Sequence, residues 1–221
     1  RLYETLAINE DRFQGKKVVE IYEGTKQNPY NSGQYSKNGA AMRKFVRNWG
    51  DEVNGKFYSC PLLRLPEVYL NMAEAMNELG KATTAVSYTH LRAHETTAYD
   101  YLNMTRNRAG MPDITKEMAK PGNELREAIL RERALEFGYE EVRYFDLIRW
   151  KREDLIRQPL SRLIVKKVKA KPGFTYTPHQ GMFEQRQYLK EGIWSKKYFL
   201  LPLPVDEINK KYGLIQNPGW E

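Results

Sequence analysis

The segment spanning residues 123–150, NELREAILRERALEFGYEEVRYFDLIRW, most constrains how this chain can fold. One stripe at helical spacing contains Leu125, Ala128, Ile129, Leu135 and Glu136. Glu132 lies in the middle of that stripe, where another apolar residue is expected. Because a buried carboxylate without a partner is costly, the pattern predicts that Glu132 is buried and paired with an arginine. The arginines close to it in sequence are Arg131, Arg133, Arg143 and Arg149.

The same segment predicts a helix hairpin. Gly138 is expected to end the first helix, because glycine readily adopts the left-handed conformation found there. A second helix should then run from Tyr139 to Trp150, with two apolar sides. One side carries Val142, Phe145 and Arg149, and the other carries Tyr144, Leu147 and Ile148. A hairpin with two apolar faces is expected to be buried between layers of the fold.

Residues 62–79 show the clearest helical pattern of the chain. The predicted inner face comprises Leu65, Tyr69, Met72, Ala73, Met76 and Leu79, and the predicted polar face comprises Glu67, Asn71, Glu74 and Glu78. Gly80 should terminate this helix. A second helix is predicted at 98–108, with Ala98, Tyr101, Leu102 and Thr105 facing inward. The small Ala73 and Ala98 would allow close contact, and the two helices resemble a tetratricopeptide pair.

The connection between these two helices is unusually long. Helix connections generally take a few residues, but Gly80 and Ala98 are 18 positions apart. The excess coincides with VSYTHLRAHET at 86–96, which resembles a translated adapter or vector fragment. We therefore interpret 86–96 as an insertion or artefact. It contains His90 and His94 at a spacing that would place both on one helix face, but no third ligand of clear spacing supports a metal site.

Four blocks of the chain resemble the SusD/RagB family of outer-membrane nutrient-binding lipoproteins. They occur in the family order, and four long blocks are a more specific signal than a short motif. The blocks are LLRLPEVYLNMAEAMNELG (62–80), AYDYLNMTRNRAGMP (98–112), REAILRERALEFGYEEVRYFDLIRW (126–150) and YFLLPLPVDEINKKYGLIQNPGW (198–220).

The resemblance implies a mainly α fold of tetratricopeptide-like helical pairs, with long irregular loops and a few short strands. It implies that residues 1–221 form a single C-terminal region of a longer, lipid-anchored protein on the cell surface, with the anchor upstream of Arg1. It implies binding of a glycan or other nutrient and delivery to a SusC-like TonB-dependent transporter, without enzymatic activity. No cofactor is expected.

Residues outside the helical blocks predict extended and irregular structure. VVEIY (18–22) and SRLIVKKVK (161–169) are predicted to form strands, KPGFTYTPHQG (171–181) a loop, and KKYFLLPLP (196–204) an extended stretch closed by prolines. Cys60, the only cysteine, is interpreted as a small buried residue.

Tyr30, Tyr35 and Trp49 are the candidate ligand-binding residues. The segment NPYNSGQYSKNG (28–39) is rich in turn-forming residues, and the basic stretch MRKFVRNW that follows it ends at Trp49. Exposed aromatic rings stack on the apolar faces of sugars, while neighbouring amides bind the hydroxyls. Packing in the core is the alternative for each of these aromatics.

The charge and the motifs exclude several other functions. The formal charge is +8, but the basic residues are dispersed among 28 acidic ones rather than gathered in a stripe, which argues against nucleic-acid binding. No phosphate-binding glycine loop, nucleophile elbow or cysteine-based metal motif is present. The carboxylate pairs Glu132/Glu136 and Glu140/Glu141 raise the possibility of a glycosidase, but arginines nearby favour ionised, structural carboxylates. From the residues alone, a helical-repeat scaffold that binds another protein and a fragment of a carbohydrate-active enzyme both stay open.

Overall fold

The structure is a computed structural model of the chain, and it describes residues 2–13, 17–22, 24–25, 41–45, 61–83, 97–158, 161–167, 174–180 and 194–220. Contacts divide the chain into two compact units. Unit 1 comprises Arg1–Leu6 and Met42–Arg143, and unit 2 comprises Ala7–Ala41 and Tyr144–Glu221. The insertion proposed at 86–96, with His90 and His94, and Cys60 lie outside the described residues.

The elements of the described residues are mostly helices. In chain order they are α1 (Leu2–Thr5), β1 (Leu6–Ala7), β2 (Arg12–Phe13), β3 (Lys17–Val18), β4 (Ala41–Met42), α2 (Leu65–Glu78), α3 (Ala98–Arg108), α4 (Asn123–Glu136), α5 (Val142–Arg149), α6 (Glu153–Ile156), β5 (Ser161–Lys167), β6 (Phe174–Gln180), a 3-10 turn (Lys196–Phe199) and α7 (Val205–Asn209). The predicted mainly α fold with a few short strands is confirmed.

The core of unit 1 is formed by α2, α3 and α4. Its fully or nearly fully buried side chains are Leu70, Ala73, Met76, Ala82, Ala98, Tyr99, Leu102, Leu125, Ile129 and Phe137. Ala73 and Ala98, the two small residues expected at a close helix contact, are both completely buried. The predicted packing of the helix at 62–79 on the helix at 98–108 is therefore confirmed, as a pair resembling a tetratricopeptide.

Local sequence determines the ends of these helices. Gly80 has a φ of +69°, and Lys81 N donates a hydrogen bond of 2.8 Å to Met76 O, so the predicted stop after α2 is confirmed. Thr97 begins α3 as a capping box: its hydroxyl accepts from Asp100 N at 3.3 Å, and Asp100 Oδ2 accepts from Thr97 N at 2.7 Å.

Two buried asparagines hold the segment that connects α3 to α4. Asn77 on α2 accepts from Gly122 N at 2.8 Å and donates to Gly122 O at 2.9 Å. Asn103 on α3 makes the same pair of bonds with Ile114, at 2.8 Å and 3.0 Å. Each side chain therefore satisfies both backbone polar groups of its partner, as a neighbouring strand would. These bonds explain why polar residues are buried at the edge of the core.

The predicted inner face of α2 is partly wrong. Ala73 and Met76 are buried, but Leu65 and Leu79 are 59% and 70% exposed. The face that contacts the core is instead formed by Pro66, Leu70, Ala73, Met76 and Asn77. The helix carries apolar residues around more than half of its circumference, so hydrophobic spacing alone did not distinguish the two sides.

The helix hairpin also differs from its prediction at three points. Leu135 on α4 is 51% exposed. The buried positions 125, 129, 132 and 136 recur at intervals of four and three residues and so lie on one face of the helix, and position 135 lies outside that face. Helix α4 ends at Glu136, but the left-handed residues of the turn are Tyr139 (φ +65°) and Glu141 (φ +63°), not Gly138. Tyr144 and Phe145 on α5 are exposed, and the buried side chain of that helix is Asp146.

Unit 2 contains an antiparallel ribbon in which β5 pairs with β6 from Ser161↔Gln180 to Lys167↔Phe174. The predicted strand at 161–169 is confirmed for Ser161–Lys167, and its Lys166 and Lys167 are exposed. The predicted loop at 171–181 is wrong for Phe174–Gln180, because aromatic and β-branched residues there favour a strand.

Two further extended segments are shorter than predicted. Of the stretch at 18–22, Val18 alone belongs to a strand, Lys17–Val18, which pairs with Arg12–Phe13. Of the stretch at 196–204, Lys196–Phe199 forms a 3-10 turn, and residues 200–204 belong to no helix or strand. Trp220 stabilises this turn, since its Nε1 is 3.1 Å from Lys197 O and 3.0 Å from Leu200 O.

Candidate functional site

The residues predicted to bind ligand, Tyr30, Tyr35 and Trp49, all lie outside the described residues. The described part of the basic stretch before Trp49 includes Lys44, which is held tightly in unit 1. Its Nζ donates to Glu136 O at 2.7 Å and to Gly138 O at 3.2 Å, and it forms an ion pair with Glu140. An ammonium group has three donors. Lys44 therefore serves to fix the end of α4.

Glu132 and Glu136 form the centre of a charged cluster in unit 1. Glu132 is 1% exposed, and its Oε2 lies 2.7 Å from Nη1 of Arg106 on α3. The prediction that Glu132 is buried and paired with an arginine is confirmed. Arg106 was not among the four arginines named from sequence proximity, because it is 26 positions away and is brought close by the packing of α3 on α4.

Glu136 receives two guanidinium groups from different parts of the chain. Its Oε1 lies 2.9 Å from Arg64 Nη1, just before α2, and 2.6 Å from Arg108 Nη2, in the last turn of α3. Spacing of four residues on α4 places Glu132 and Glu136 on the same face, so each meets an arginine of α3. Arg133 turns to α2 instead and donates to Asn71 Oδ1 at 2.7 Å. The cluster therefore ties three helices together.

Glu140 extends this cluster into the turn after α4. Arg64 donates to both of its carboxylate oxygens at 2.8 Å, which is the planar two-point geometry that favours arginine. Burial alone would raise the pKa of Glu140, but the hydrogen bonds and charges of Arg64 and Lys44 outweigh that effect and lower it. Burial alone would lower the pKa of Arg64, but the hydrogen bonds and charges of Glu140 and Glu136 outweigh that effect and raise it.

This arrangement does not resemble a pair of catalytic carboxylates. A glycosidase acid needs a raised pKa in order to carry a proton near neutral pH. Glu140 has a lowered pKa, and Glu132 and Glu136 lie within 3 Å of guanidinium nitrogens. Among the residues that the structure describes, no group of three His, Cys, Asp or Glu side chains could hold a metal ion. The carboxylates of the cluster hold elements of unit 1 together.

Unit 2 holds an aromatic cluster that sequence analysis missed. The ring of Trp194 lies 5.6 Å from that of Tyr198 and 5.4 Å from that of Phe199, and Tyr198 lies 5.6 Å from Trp220. The ammonium group of Lys197 is 4.4 Å from the Trp220 ring centroid. All four aromatics are partly buried. They pack the final block of the chain together, and their clustering in 194–220 was a sequence signal for it.

The signature segment RYFDLIRW contributes a further ion pair, within unit 2, whose carboxylate is buried. Asp146 is 2% exposed and accepts from Arg149 Nε at 3.0 Å and Nη2 at 2.8 Å. The guanidinium group of Arg149 also lies 5.4 Å from the centroid of Trp150. These residues of the segment therefore stabilise the fold.

No helix of the described residues is both long enough and apolar enough to span a membrane. Comparison with curated proteins finds no match to this sequence. The chain is similar to a SusD-like protein from Bacteroides fragilis NCTC 9343, with 26% identity and a TM-score of 0.69. It is also similar in fold to the selenomethionine form of the protein BT4246, with 24% identity and a TM-score of 0.56.

These similarities cover nearly all of this chain but a minor part of its relatives. The first alignment covers 99% of this chain and 38% of the SusD-like protein, and the second covers 84% and 30%. The chain thus spans less than half the length of each of these two solved structures. The protein-family model of the SusD family matches residues 1–220 of this chain. The chain therefore belongs to the SusD family, as its four sequence blocks predicted.

Proposed function

We propose that this chain is part of a cell-surface lipoprotein that binds a glycan and delivers it to a SusC-like TonB-dependent transporter. The observation that carries the proposal is the match to the SusD family over residues 1–220, because members of this family bind nutrients at the cell surface. Attachment to the outer membrane through a lipid anchor upstream of Arg1 is part of the same proposal. We include delivery in the proposal because members of the SusD family work with SusC-like transporters.

The charged cluster supports binding rather than hydrolysis. Glu132 and Glu136 are each held by guanidinium groups, and the ion pairs of Glu140 lower its pKa. The partners of Glu132 and Glu136 are guanidinium groups of the fold, and its lowered pKa makes Glu140 unsuited to protonate a glycosidic oxygen. We therefore propose that the protein releases its bound ligand chemically unchanged.

Aromatic side chains on the segments around Lys44 provide the proposed sugar contacts. Tyr30 and Tyr35 precede Lys44 in the chain, and Trp49 follows it. Lys44 is fixed to the end of α4 by its bonds to Glu136 O and Gly138 O. The turn-forming residues of 28–39 favour a surface loop, and binding groups often lie on such loops. We propose that these three aromatics stack on the apolar faces of sugar rings.

A glycan array tests this function directly. Cells that produce the complete lipoprotein are applied to an array of neutral and acidic oligosaccharides, and cells from which only this gene has been deleted provide the matched control. The proposal predicts gene-dependent retention on at least one class of glycan. Equal retention of the two strains on every glycan would contradict glycan binding. Capture of a protein other than the transporter would then favour the helical-repeat scaffold.

A further inference from the structure

The net charge of the chain lies entirely in unit 2. Unit 1 contains 16 basic and 16 acidic residues, and unit 2 contains 20 and 12, which together account for the 36 and 28 of the whole chain. The formal charge of +8 therefore belongs to unit 2 alone. The basic residues are balanced by acidic ones in unit 1, as their dispersal along the sequence suggests, but not in unit 2. An uneven charge of this size attracts anions to the part of the protein that carries it.

The excess is most concentrated in the segment that forms the β5–β6 ribbon. Between Asp154 and Glu184 the chain contains no acidic residue, but it contains six basic ones. These are Arg157, Arg162, Lys166, Lys167, Lys169 and Lys171. Arg157, at the start of the segment, is paired with Glu153 at 2.8 Å. The other five belong to β5 or to the connection between β5 and β6, so the ribbon has no carboxylate of its own to balance them.

Two exposed lysines of β5 form the described part of this basic surface. Lys166 and Lys167 are both exposed, and the residues opposite them on β6 are Thr175 and Phe174. A carboxylate at either of these opposite positions would stabilise a lysine across the ribbon. Lysines on an outer strand also protect it from edge-to-edge aggregation, but that role does not require the whole ribbon to lack acidic residues. The composition instead favours binding of an external anion.

The surface combines positive charge with an aromatic ring. The ammonium group of Lys167 lies 5.4 Å from the centroid of the Tyr22 ring. Ammonium groups bind carboxylates and sulfates, and aromatic rings stack on the apolar faces of sugars. Ile164 and Val165, beside the lysines on β5, are half-buried and buried, so neither offers an apolar group for insertion into a lipid surface. This combination therefore fits an acidic glycan better than it fits a membrane.

We infer that Lys166 and Lys167, with Tyr22, form a surface that binds an acidic glycan, one that carries carboxylate or sulfate groups. The inference rests on the proposed function in that the ligand is a glycan. It adds the charge of that glycan, and it assigns a binding surface that does not include Tyr30, Tyr35 or Trp49.

Calorimetric titration of the complete protein with charged and uncharged probes tests this inference. The acidic probes are an oligogalacturonide and a chondroitin sulfate oligosaccharide, and the methyl-esterified oligogalacturonide supplies the same sugar rings without the charge. We expect at least one acidic probe to bind, the ester to bind at least about tenfold more weakly than the acid, and affinity to fall when NaCl is raised from about 50 to about 300 mM. Failure of both acidic probes to bind, equal binding of acid and ester, or binding that does not depend on salt overturns the inference.

A pair of double variants locates the binding surface. Lys166→Gln combined with Lys167→Gln should weaken binding of the acidic probe at least about tenfold, because two ion pairs with the ligand are lost. Lys210→Gln combined with Lys211→Gln is the matched control, since it removes the same charge from two other exposed lysines of unit 2. The control should change affinity less than about threefold. Equal losses in the two variants would show that binding follows net charge alone and would overturn the inference. Circular dichroism verifies that both variants fold.

Two further probes distinguish other anionic partners. Duplex DNA and vesicles of equal parts phosphatidylcholine and phosphatidylglycerol are titrated in the same buffer. Tighter binding of either one than of the acidic oligosaccharides, lost in the Lys166 and Lys167 variant, would assign the surface to nucleic acid or to membrane and overturn the inference. Retention of neutral glycans alone on the array would leave the proposed function in place and contradict this inference. Retention of no glycan would contradict both.

Discussion

Arg106 on α3 donates a hydrogen bond of 2.7 Å to the buried carboxylate of Glu132 on α4. This ion pair joins two helices of the core through groups that are both mostly shielded from water. Removing one member of a buried pair leaves an uncompensated charge, which costs more than the pair itself contributes. Glu132 therefore provides the most direct test of how unit 1 is stabilised.

Glu132→Ala is expected to lower the free energy of unfolding by about 3 kcal/mol, because Arg106 loses its buried carboxylate. Urea denaturation followed by far-UV circular dichroism measures the change. Glu127→Ala, on an exposed position of the same helix, is the matched control and should change stability by less than about 0.5 kcal/mol. An equally small effect of Glu132→Ala would contradict the buried pair.

Deletion of residues 86–96 is expected to leave the melting temperature unchanged or higher. The structure supplies a reason: Ala98 N donates to Ala82 O at 3.1 Å, so the chain before and after this segment is already close together. A shorter connection would lower the entropy cost of closing the loop. Differential scanning calorimetry of the two proteins provides the comparison. A large fall in melting temperature would show that 86–96 is packed into the fold and is not an artefact.

The ion pairs of Glu140 predict a specific pH dependence. Its pKa is lowered in the folded protein, so its contribution to stability is complete above the unfolded value near 4.5 and is lost as the pH falls through the folded value. The stability difference between the native protein and Glu140→Gln should be constant from about pH 7 to 5 and should decrease below about pH 4.5. Urea titrations at several pH values measure it. A difference that stays constant to pH 3 would contradict the paired carboxylate.

Hydrolysis of oligosaccharides is not expected from this protein. The carboxylates of the charged cluster are held by arginines of the fold, and the lowered pKa of Glu140 makes it a poor proton donor near neutral pH. The complete protein is incubated with candidate oligosaccharides, and new reducing ends are followed over time. Glu132→Gln and Glu136→Gln are examined beside it, with circular dichroism as the check on folding. Turnover that disappears in a folded variant would contradict a purely structural role.

Local signals in the sequence predicted the helices well but could not identify their tertiary partners. The Gly80 stop lies beside the helix end that it determines, and the predicted helix at 98–108 agrees with α3, whereas the helix predicted at 62–79 begins only at Leu65. The partner of Glu132 is 26 positions away on another helix, and no local spacing points to it. The segment that contains the strand Phe174–Gln180 was predicted to be a loop, although its aromatic and β-branched residues favour a strand.

The two apolar sides of α2 illustrate a further limit of periodicity. Leu65 and Leu79 have the same hydrophobicity as the buried Leu70, and spacing assigns all three to helical stripes without showing which stripe meets the core. Burial depends on which elements are present to cover each side. The ligand residues Tyr30, Tyr35 and Trp49 stay a prediction from composition and turn chemistry, since they lie outside the described residues.

Binding of a sugar by Tyr30, Tyr35 and Trp49 is the central functional claim, and calorimetric titration tests it most directly. The probe is the oligosaccharide that the array retains most strongly, titrated into the complete lipoprotein and into variants with alanine at each of the three positions. Tyr212→Ala, at an exposed tyrosine outside this set, is the matched control.

Each ligand-stacking aromatic should contribute about 1 to 3 kcal/mol of binding free energy, because aromatic anchors dominate such contacts, while thermal stability stays unchanged. The account predicts that the triple alanine variant loses most of its affinity and that Tyr212→Ala retains it. Unchanged affinity in the folded triple variant would contradict the account and place the sugar site elsewhere in the protein.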